Sequence, residues 1–225
     1  RQVTGDRLPI CLTDTQSPND TGSLIMEVNE FFAVSSYQPE RLERFMNAIT
    51  DTIIAFSEMQ MEAIGPNLSL PGHQMICHPA WKGISISDDN MAMLSPRAYE
   101  AAALPYNSRL AQHFGGIAIH SCEAIGHNIA VQRRTPHLQQ METSASILVR
   151  DSDPSPNQPE SLRDGYRGSG VIVKVRINKG EAELLERLLA PDFKCALHVT
   201  GVQSREEAEE VYGEFKARIA QISAG

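Results

Sequence analysis

The residues best suited to metal chemistry in this sequence are His120 and Cys122, which end the segment GIAIHSC. An imidazole nitrogen and a thiolate are preferred zinc ligands, and zinc with an open coordination position can bind and deprotonate a substrate thiol. Because side chains alternate along a strand, His-x-Cys at a strand end places both groups on one face. The spacing therefore predicts two ligands of a zinc site.

A catalytic zinc ion takes three protein ligands, and the sequence leaves the third one open. Several side chains are predicted to end neighbouring strands or to flank the His-Ser-Cys turn, and any of them could serve: Asp88, Asp89, His198, His127, Cys77 and His78. Cys195 is a weaker candidate, because it is predicted at the start of the last strand, at the end of the sheet opposite Cys122.

Charged side chains on other predicted strands suggest substrate contacts. Asp88 and Asp89 follow a strand and could act as substrate or general-acid carboxylates, or they could only supply polarity to a loop. Lys174 and Arg176 face inward on one strand, and His198 does so on the last. The two cations could hold a carboxylate or phosphate of a substrate, or they could pair with acidic side chains of the protein.

The elements that must position these residues alternate between strands and helices, which predicts an α/β fold with a parallel sheet. Several strands carry aliphatic side chains on one face and small or polar ones on the other, as Ile84 and Ile86 do against Ser85 and Ser87. Strands covered by helices on both faces are apolar throughout. The pattern therefore predicts a (β/α)8 barrel with polar side chains at its mouth, in which about six strands are present: 8–14, 83–88, 116–121, 146–150, 171–177 and 195–201.

Helices are predicted between these strands from apolar stripes and capping signals. An apolar stripe predicts a helix over 39–64, and a cap at Ser95 begins another that runs to about 114. A polar helix is expected over 127–140, and a capping box at Ser204 starts the last helix. The whole chain, 1–225, is expected to form one domain that lacks the N-terminal part of a barrel.

Composition excludes several classes of partner. The formal net charge is −8, which disfavours nucleic acid or an anionic membrane surface as the main partner. No apolar run approaches the ~20 residues of a membrane span. The 4 cysteines are scattered without the spacing of a disulfide framework, which indicates a reducing, cytoplasmic setting.

The segment SDDNMAMLSPRAYEAAALPY and the strand end IAIHSC resemble the uroporphyrinogen decarboxylase superfamily. This superfamily comprises the decarboxylase of haem biosynthesis and cobalamin-linked methyltransferases built on the same (β/α)8 barrel. The segment LPICLTDTQSPNDTGSLIMEV is similar to the family's third strand and the helix behind it. The resemblance covers most of the chain and implies that the first two strands of the family are absent.

The resemblance implies two activities. In the methyltransferase branch, His120 and Cys122 would bind zinc, and a methyl group would move between a corrinoid carrier protein and a small thiol or related acceptor. The family's third ligand is a later cysteine, and the corresponding turn around Gly201 has none. In the decarboxylase branch, Lys174 or Arg176 would hold carboxylates of a tetrapyrrole, and the family's Gly-His-Gly turn reads HVTGVQS here.

A third hypothesis is a truncated barrel without catalysis that serves as a binding or assembly module. An incomplete barrel leaves strand edges at LPICLTD and CALHVTG without partners, and such edges pair with other chains. The sequence therefore predicts a homo-oligomer or a strand-exchanged dimer.

Overall fold

The computed structural model describes residues 7–148 and 155–224. Its strands are β1 Ile84–Ser87, β2 Ile117–His120, β3 Leu138–Ser144, β4 Ile172–Asn178 and β5 Cys195–Thr200. Its helices are α1 Pro18–Ile25, α2 Val28–Tyr37, α3 Pro39–Ile64, α4 Pro96–Ala102, α5 Leu104–Phe114, α6 Ile129–Gln132, α7 Pro159–Tyr166, α8 Leu184–Leu188 and α9 Arg205–Ala224. None of these helices is both long and apolar enough to cross a bilayer.

The five strands form one parallel sheet whose spatial order equals their order in the chain. The carboxyl ends of all five strands therefore lie at the same edge of the sheet, and residues at those ends become neighbours. The prediction of an α/β fold with a parallel sheet is confirmed. Within the described residues β1 and β5 do not pair with each other, so the sheet is not closed into a barrel.

The two faces of the sheet differ as the alternation predicts. Aliphatic side chains on one face, among them Ile86, Ile119 and Val175, belong to a single buried core that also takes in the helices. The opposite face carries the polar side chains of the same strands. We call this opposite face the polar face of the sheet.

A loop lies over part of the polar face. We call residues 68–78 the cover loop. Leu70 and His78 form an antiparallel bridge that closes it. The side-chain amide of Gln140 on β3 bonds both backbone groups of Ile76, at 3.0 and 2.9 Å. These contacts hold the loop against the sheet, so this part of the polar face is covered by a loop rather than by a helix.

The predicted strand 8–14 is wrong. Ile10 makes an isolated parallel bridge to Leu68, and Leu12 is the one buried residue of the segment. With so little buried apolar surface, the segment is not stabilised as a strand of the sheet. The chain instead pairs further on, where Gln16 bridges to Ser87 and thereby lies along the outer edge of β1.

The helix predicted over 127–140 is confirmed only as far as Gln132, and the strand predicted over 146–150 is absent from 146–148, the part of it that the structure describes. Helical structure ends at Gln132, because Pro136 cannot continue a helix and His137 has φ +55°. Strand β3 begins directly afterwards, at Leu138, so the third strand lies earlier than predicted. Residues 149 and 150 of the predicted strand lie outside the described part of the chain.

The other helix signals are confirmed. The helix over Pro39–Ile64 has the predicted bounds, and the Ser95 hydroxyl accepts a hydrogen bond from the Ala98 amide at the start of α4. A short break at Ala103 separates α4 from α5, which ends at Gly115 with φ +71°. At the start of α9, the Ser204 hydroxyl accepts from the Glu207 amide, as a capping box requires.

Candidate metal centre

Two adjacent strand ends bring three potential metal ligands together. Ser87 on β1 is level with His120 on β2, so the residues that follow each strand meet at the same edge. There a carboxylate oxygen of Asp89, an imidazole nitrogen of His120 and the sulfur of Cys122 lie within 4.8 Å of one another. We call these three residues the donor cluster.

The backbone fixes the geometry of the donor cluster. The Cys122 amide donates to Asp89 Oδ1 at 2.7 Å, so the carboxylate is anchored beside the cysteine. The His120 Nε2 atom lies 3.1 Å from Cys122 Sγ. Two ligands on one tetrahedral zinc ion, at about 2.0 Å for nitrogen and about 2.3 Å for sulfur, are about 3.5 Å apart. The side chains therefore fit a zinc ion with slight adjustment.

The donor set matches the chemistry of a catalytic zinc site. Nitrogen, sulfur and carboxylate oxygen are all accepted by zinc, and three protein ligands leave a fourth position open for water or substrate. His120 is buried, whereas Asp89 and Cys122 are half-exposed. The open position would therefore face solvent, where a substrate can enter.

Glu142 supports the donor cluster from the neighbouring strand. It is level with His120 in the parallel register of β2 and β3 and is fully buried. Its Oε2 atom accepts a hydrogen bond from His120 Nδ1. This contact places the ring proton on Nδ1 and leaves Nε2 facing Cys122, which is how carboxylates orient metal-binding histidines.

Arg176 on β4 completes the charge balance. Its Nε atom lies 2.9 Å from Glu142 Oε1, an ion pair without the alignment of a hydrogen bond. Its Nη2 atom donates to Cys122 Sγ at 3.5 Å. Burial opposes the charged form of His120, but the hydrogen bonds to Cys122 and Glu142 outweigh it and raise the pKa of His120 to about 10. The imidazole thus lies between the buried Glu142 carboxylate and the Cys122 sulfur.

Asp88 and Asp89 play different parts although they are adjacent. The Asp88 carboxylate is fully buried and accepts hydrogen bonds from the four side chains of Ser17, Asn19, Tyr99 and Asn107. Burial raises the pKa of Asp88, although these hydrogen bonds oppose the shift. Asp88 therefore ties α1, α4 and α5 to the end of β1, and only Asp89 reaches the donor cluster.

A second buried carboxylate, Asp20 on α1, holds the turn that presents Asp89. Its two oxygens accept from the backbone amides of Asp89 and Asn90, at 2.7 and 3.0 Å. Burial and the nearby charge of Asp88 raise the pKa of Asp20 to about 8. Asp20 thereby fixes the position of a donor residue from outside the sheet.

Lys174 and His198 lie farther from the donor cluster. The Lys174 ammonium donates to the carbonyl of Gln74 in the cover loop. His198 on β5 is level with Arg176 and exposed. The partial burial of its ring lowers the pKa of His198, and the nearby charge of Lys174 lowers it further. Of the residues predicted to bind substrate, Arg176 touches the cluster and His198 faces solvent beside it.

The remaining candidates for the third ligand lie elsewhere. Cys77 donates to the Gly72 carbonyl, and the ring of His78 accepts from the Ala80 amide, so both serve the loop that carries them. His127 bonds the Leu94 carbonyl at 3.0 Å. Among the described residues, Asp89 is therefore the candidate that joins His120 and Cys122.

Sequence reasoning missed Glu142 because a helix was predicted up to residue 140. The signal is present in LQQMETS, where Gln140, Glu142 and Ser144 alternate with Met141 and Thr143. Period-two spacing of this kind predicts a strand.

Comparison of the sequence with protein-family models and with curated proteins yields no match.

Proposed function

We propose that this protein is a zinc-dependent enzyme of the methyltransferase-like branch of the uroporphyrinogen decarboxylase superfamily. It would methylate a small thiol or related acceptor, with a corrinoid carrier protein as methyl donor. The observation that carries the proposal is the donor cluster of Asp89, His120 and Cys122 at adjacent strand ends. His120 and Cys122 are the positions that the family resemblance assigns to zinc, and Asp89 stands in for the missing cysteine.

A (β/α)8 barrel is the architecture we propose for this activity. The sheet is all-parallel, its strands follow chain order, and its polar side chains share one face. Gln16 lies along β1, where a preceding strand of a barrel would lie. Active sites of such barrels lie at the carboxyl ends of the strands, which is where the donor cluster is found.

The residues around the cluster would each have one task. A bound zinc ion lowers the pKa of a thiol at its open position and so supplies a nucleophile at neutral pH. Glu142 orients the His120 ring, and Asp20 holds the turn that carries Asp89. Arg176 places positive charge beside Cys122, where it offsets the negative charge of a second thiolate.

Substrate contacts are assigned to the cationic side of the polar face. His198 is exposed and adjacent to Arg176 in the sheet. Lys174 lies behind them, against the cover loop. A small thiol would approach the donor cluster across these three side chains.

Decarboxylation of a tetrapyrrole has less support in the geometry. Arg176 already pairs with Glu142, and the Lys174 ammonium is bound by a carbonyl. Asp88 is enclosed by protein donors, so Asp89 is the carboxylate of the pair that can meet a substrate. The noncatalytic module is tested by the same experiment as the enzyme.

Association of two copies is part of the proposal. Within the described residues β5 has a sheet partner on one side only, and its sequence CALHVT carries no Lys, Arg, Asp or Glu. Uncharged edge strands are prone to pair with other chains. Sedimentation of the purified protein should therefore show a species larger than one chain.

The test is a methyl-transfer assay with methylcobalamin as donor and a panel of small thiols, using protein loaded with zinc. Methylation should require zinc, should be lost in Cys122→Ser and should persist in Cys195→Ser, whose cysteine lies at the other end of the sheet. Folding of each variant is checked by circular dichroism.

Three other outcomes would overturn the proposal. Zinc-independent methylation would remove the role of the donor cluster. Decarboxylation of a porphyrinogen without methyl transfer would establish the alternative enzyme. Folded, zinc-loaded protein that performs neither reaction would favour the noncatalytic module.

A further inference from the structure

The turn that follows β2 carries Cys122 beyond the hydrogen-bonded ladder of the sheet. His120 is the last residue of β2, so strand pairing fixes its position. Cys122 lies two residues farther along the chain, and its side chain is half-exposed. A metal site needs its ligands held to within about 0.5 Å. The turn must therefore be fixed by contacts other than strand pairing.

Two backbone amides fix the start of this turn. The Ser121 amide donates to the Glu142 carbonyl at 3.0 Å. The Cys122 amide donates to Asp89 Oδ1 at 2.7 Å. The second bond uses a carboxylate that the donor cluster would also use to bind metal. An anchor that is independent of coordination must come from a residue outside the cluster.

Asn157 supplies such an anchor for the end of the turn. It lies shortly before α7 and is 3% exposed. Its Oδ1 atom accepts from the Ile125 amide at 2.8 Å, and its Nδ2 atom donates to the Glu123 carbonyl at 2.9 Å. One side-chain amide thus binds backbone groups one and three residues beyond Cys122.

Asn157 is itself fixed to the end of β3. Its backbone amide donates to the Ser144 carbonyl at 2.9 Å, and its Nδ2 atom also donates to the Thr143 hydroxyl at 2.8 Å. The same strand carries Glu142, the partner of the His120 ring. One strand therefore holds both the carboxylate that orients the histidine and the anchor of the turn that bears the cysteine.

We propose that Asn157 is a positioning residue that sets the place of the Cys122 sulfur at the metal site. The inference rests on the proposed function, because it requires that Cys122 bind metal. Loss of the Asn157 amide would release the turn after β2 while all three ligands stay in the chain. Metal would then bind more weakly and with an altered thiolate contact. A residue that only stabilises the fold would not change the surroundings of the metal.

The experiment is a cobalt(II) titration of metal-free wild type and Asn157→Ala, with the folding of each protein checked by circular dichroism. Substitution of groups that support metal ligands costs about 10- to 100-fold in affinity. Asn157→Ala should therefore bind cobalt about tenfold more weakly than wild type. At saturation its thiolate–cobalt absorption should be shifted or reduced, because the sulfur is no longer held in one place.

Gln140 provides the matched control. It is also a buried side-chain amide that bonds backbone groups of a loop, but it holds Ile76 in the cover loop and lies nearer the start of β3. Gln140→Ala should lower the free energy of unfolding and keep the cobalt affinity and absorption of wild type. Equal changes of affinity and absorption in the Gln140 and Asn157 variants would overturn the proposal, since general destabilisation would account for both.

Thr143 offers a milder test that leaves Asn157 in place. Thr143→Val removes the hydroxyl that accepts from Asn157 Nδ2, so it should weaken cobalt binding, though less than Asn157→Ala does. Thr143→Ser keeps the hydroxyl and should match wild type. Added to Asn157→Ala, Thr143→Val should cause no further loss of cobalt affinity, because the hydroxyl acts through Asn157. Additive losses would overturn the proposal.

Failure of this inference can be distinguished from failure of the proposed function. Folded wild type that binds no cobalt would overturn both. If wild type binds cobalt saturably and folded Asn157→Ala keeps the same affinity and absorption, the positioning role alone is overturned.

Discussion

His120 and Glu142 are register partners on adjacent parallel strands, and the Nδ1 atom of the histidine bonds the buried carboxylate. The sheet itself therefore sets the orientation of the imidazole. Because Glu142 is fully buried and also pairs with Arg176, its charge has little freedom to move. The Nε2 atom is thereby left facing Cys122 and the open side of the donor cluster.

Replacing Glu142 should weaken zinc binding without removing a ligand. Loss of a carboxylate that orients a metal-binding histidine costs 10- to 100-fold in affinity as an order of magnitude. Glu142→Gln keeps an acceptor for the Nδ1 hydrogen, so its loss of zinc affinity should be about tenfold. Glu142→Ala keeps no acceptor, so its loss of zinc affinity should be about 100-fold. Competition with a chromophoric chelator measures both dissociation constants.

Glu181 provides the matched control for this measurement. It is also buried, and its carboxylate accepts from the amides of Ile147 and Asn178 near the ends of other strands. Glu181→Gln should leave the zinc affinity unchanged. Equal loss of affinity in the Glu181 and Glu142 variants would show that general destabilisation, not orientation of His120, is being measured.

Asp20 should make stability fall as pH rises. Its pKa is raised to about 8 by burial and the charge of Asp88, against about 3.9 in an unfolded chain. The folded protein thus holds a proton that the unfolded chain releases, so this contribution is complete below about pH 4 and disappears through pH 8. One such group changes the free energy of unfolding by up to about 1.4 kcal/mol per pH unit.

Urea denaturation of wild type and Asp20→Asn between about pH 5 and pH 7 isolates this group. The variant should show the shallower decline with pH, because position 20 no longer titrates. Glu62→Gln, at an exposed position on α3, should keep the wild-type slope. A slope unchanged by Asp20→Asn would show that Asp20 is already ionised in this pH range.

Gly83 and Gly213 should respond oppositely to alanine. Gly83 has φ +99°, and an added Cβ would lie 2.4 Å from the carbonyl of Gly116 at the start of β2. The backbone conformation alone costs a side chain about 1–3 kcal/mol, so Gly83→Ala should lower the free energy of unfolding by at least that much. Gly213 lies inside α9 with open space around it.

Gly213→Ala should therefore raise the free energy of unfolding, by about 0.5–1 kcal/mol, because alanine restricts the unfolded chain and favours helix. Urea denaturation at one pH compares both variants with wild type. A neutral Gly83→Ala would mean that β1 and β2 do not approach as closely as the structure has them.

Strands with strict alternation could be predicted from the sequence. In β4, Val173 and Val175 are buried while Lys174 and Arg176 are half-buried, as the pattern VIVKVRI indicates. The strand β3 could not be found as readily. Its polar residues Gln140, Glu142 and Ser144 are buried because neighbouring strands and the cover loop enclose them, and those contacts are not local in sequence.

Asp88 shows what the alternation of side chains along β1 can predict and what it cannot. Alternation places Ser85 and Ser87 on the polar face, so Asp88 continues the apolar series of Ile84 and Ile86 and points toward the helices. In the structure Asp88 does point toward the helices, since Tyr99 of α4 and Asn107 of α5 donate to its carboxylate. The identity of these helix partners depends on tertiary packing, which the alternation of one strand does not contain.

The proposed function requires that Asp89, His120 and Cys122 together hold one metal ion. The most direct measurement is a cobalt(II) titration of the metal-free protein, followed through the absorption that a thiolate–cobalt bond produces. Wild type should saturate at one equivalent with this absorption. Cys122→Ser should lose the absorption, Asp89→Ala should bind more weakly, and Asp51→Ala, at an exposed carboxylate paired with Arg109, should match wild type. Folded wild type without saturable binding, or a thiolate band that survives Cys122→Ser, would contradict the claim.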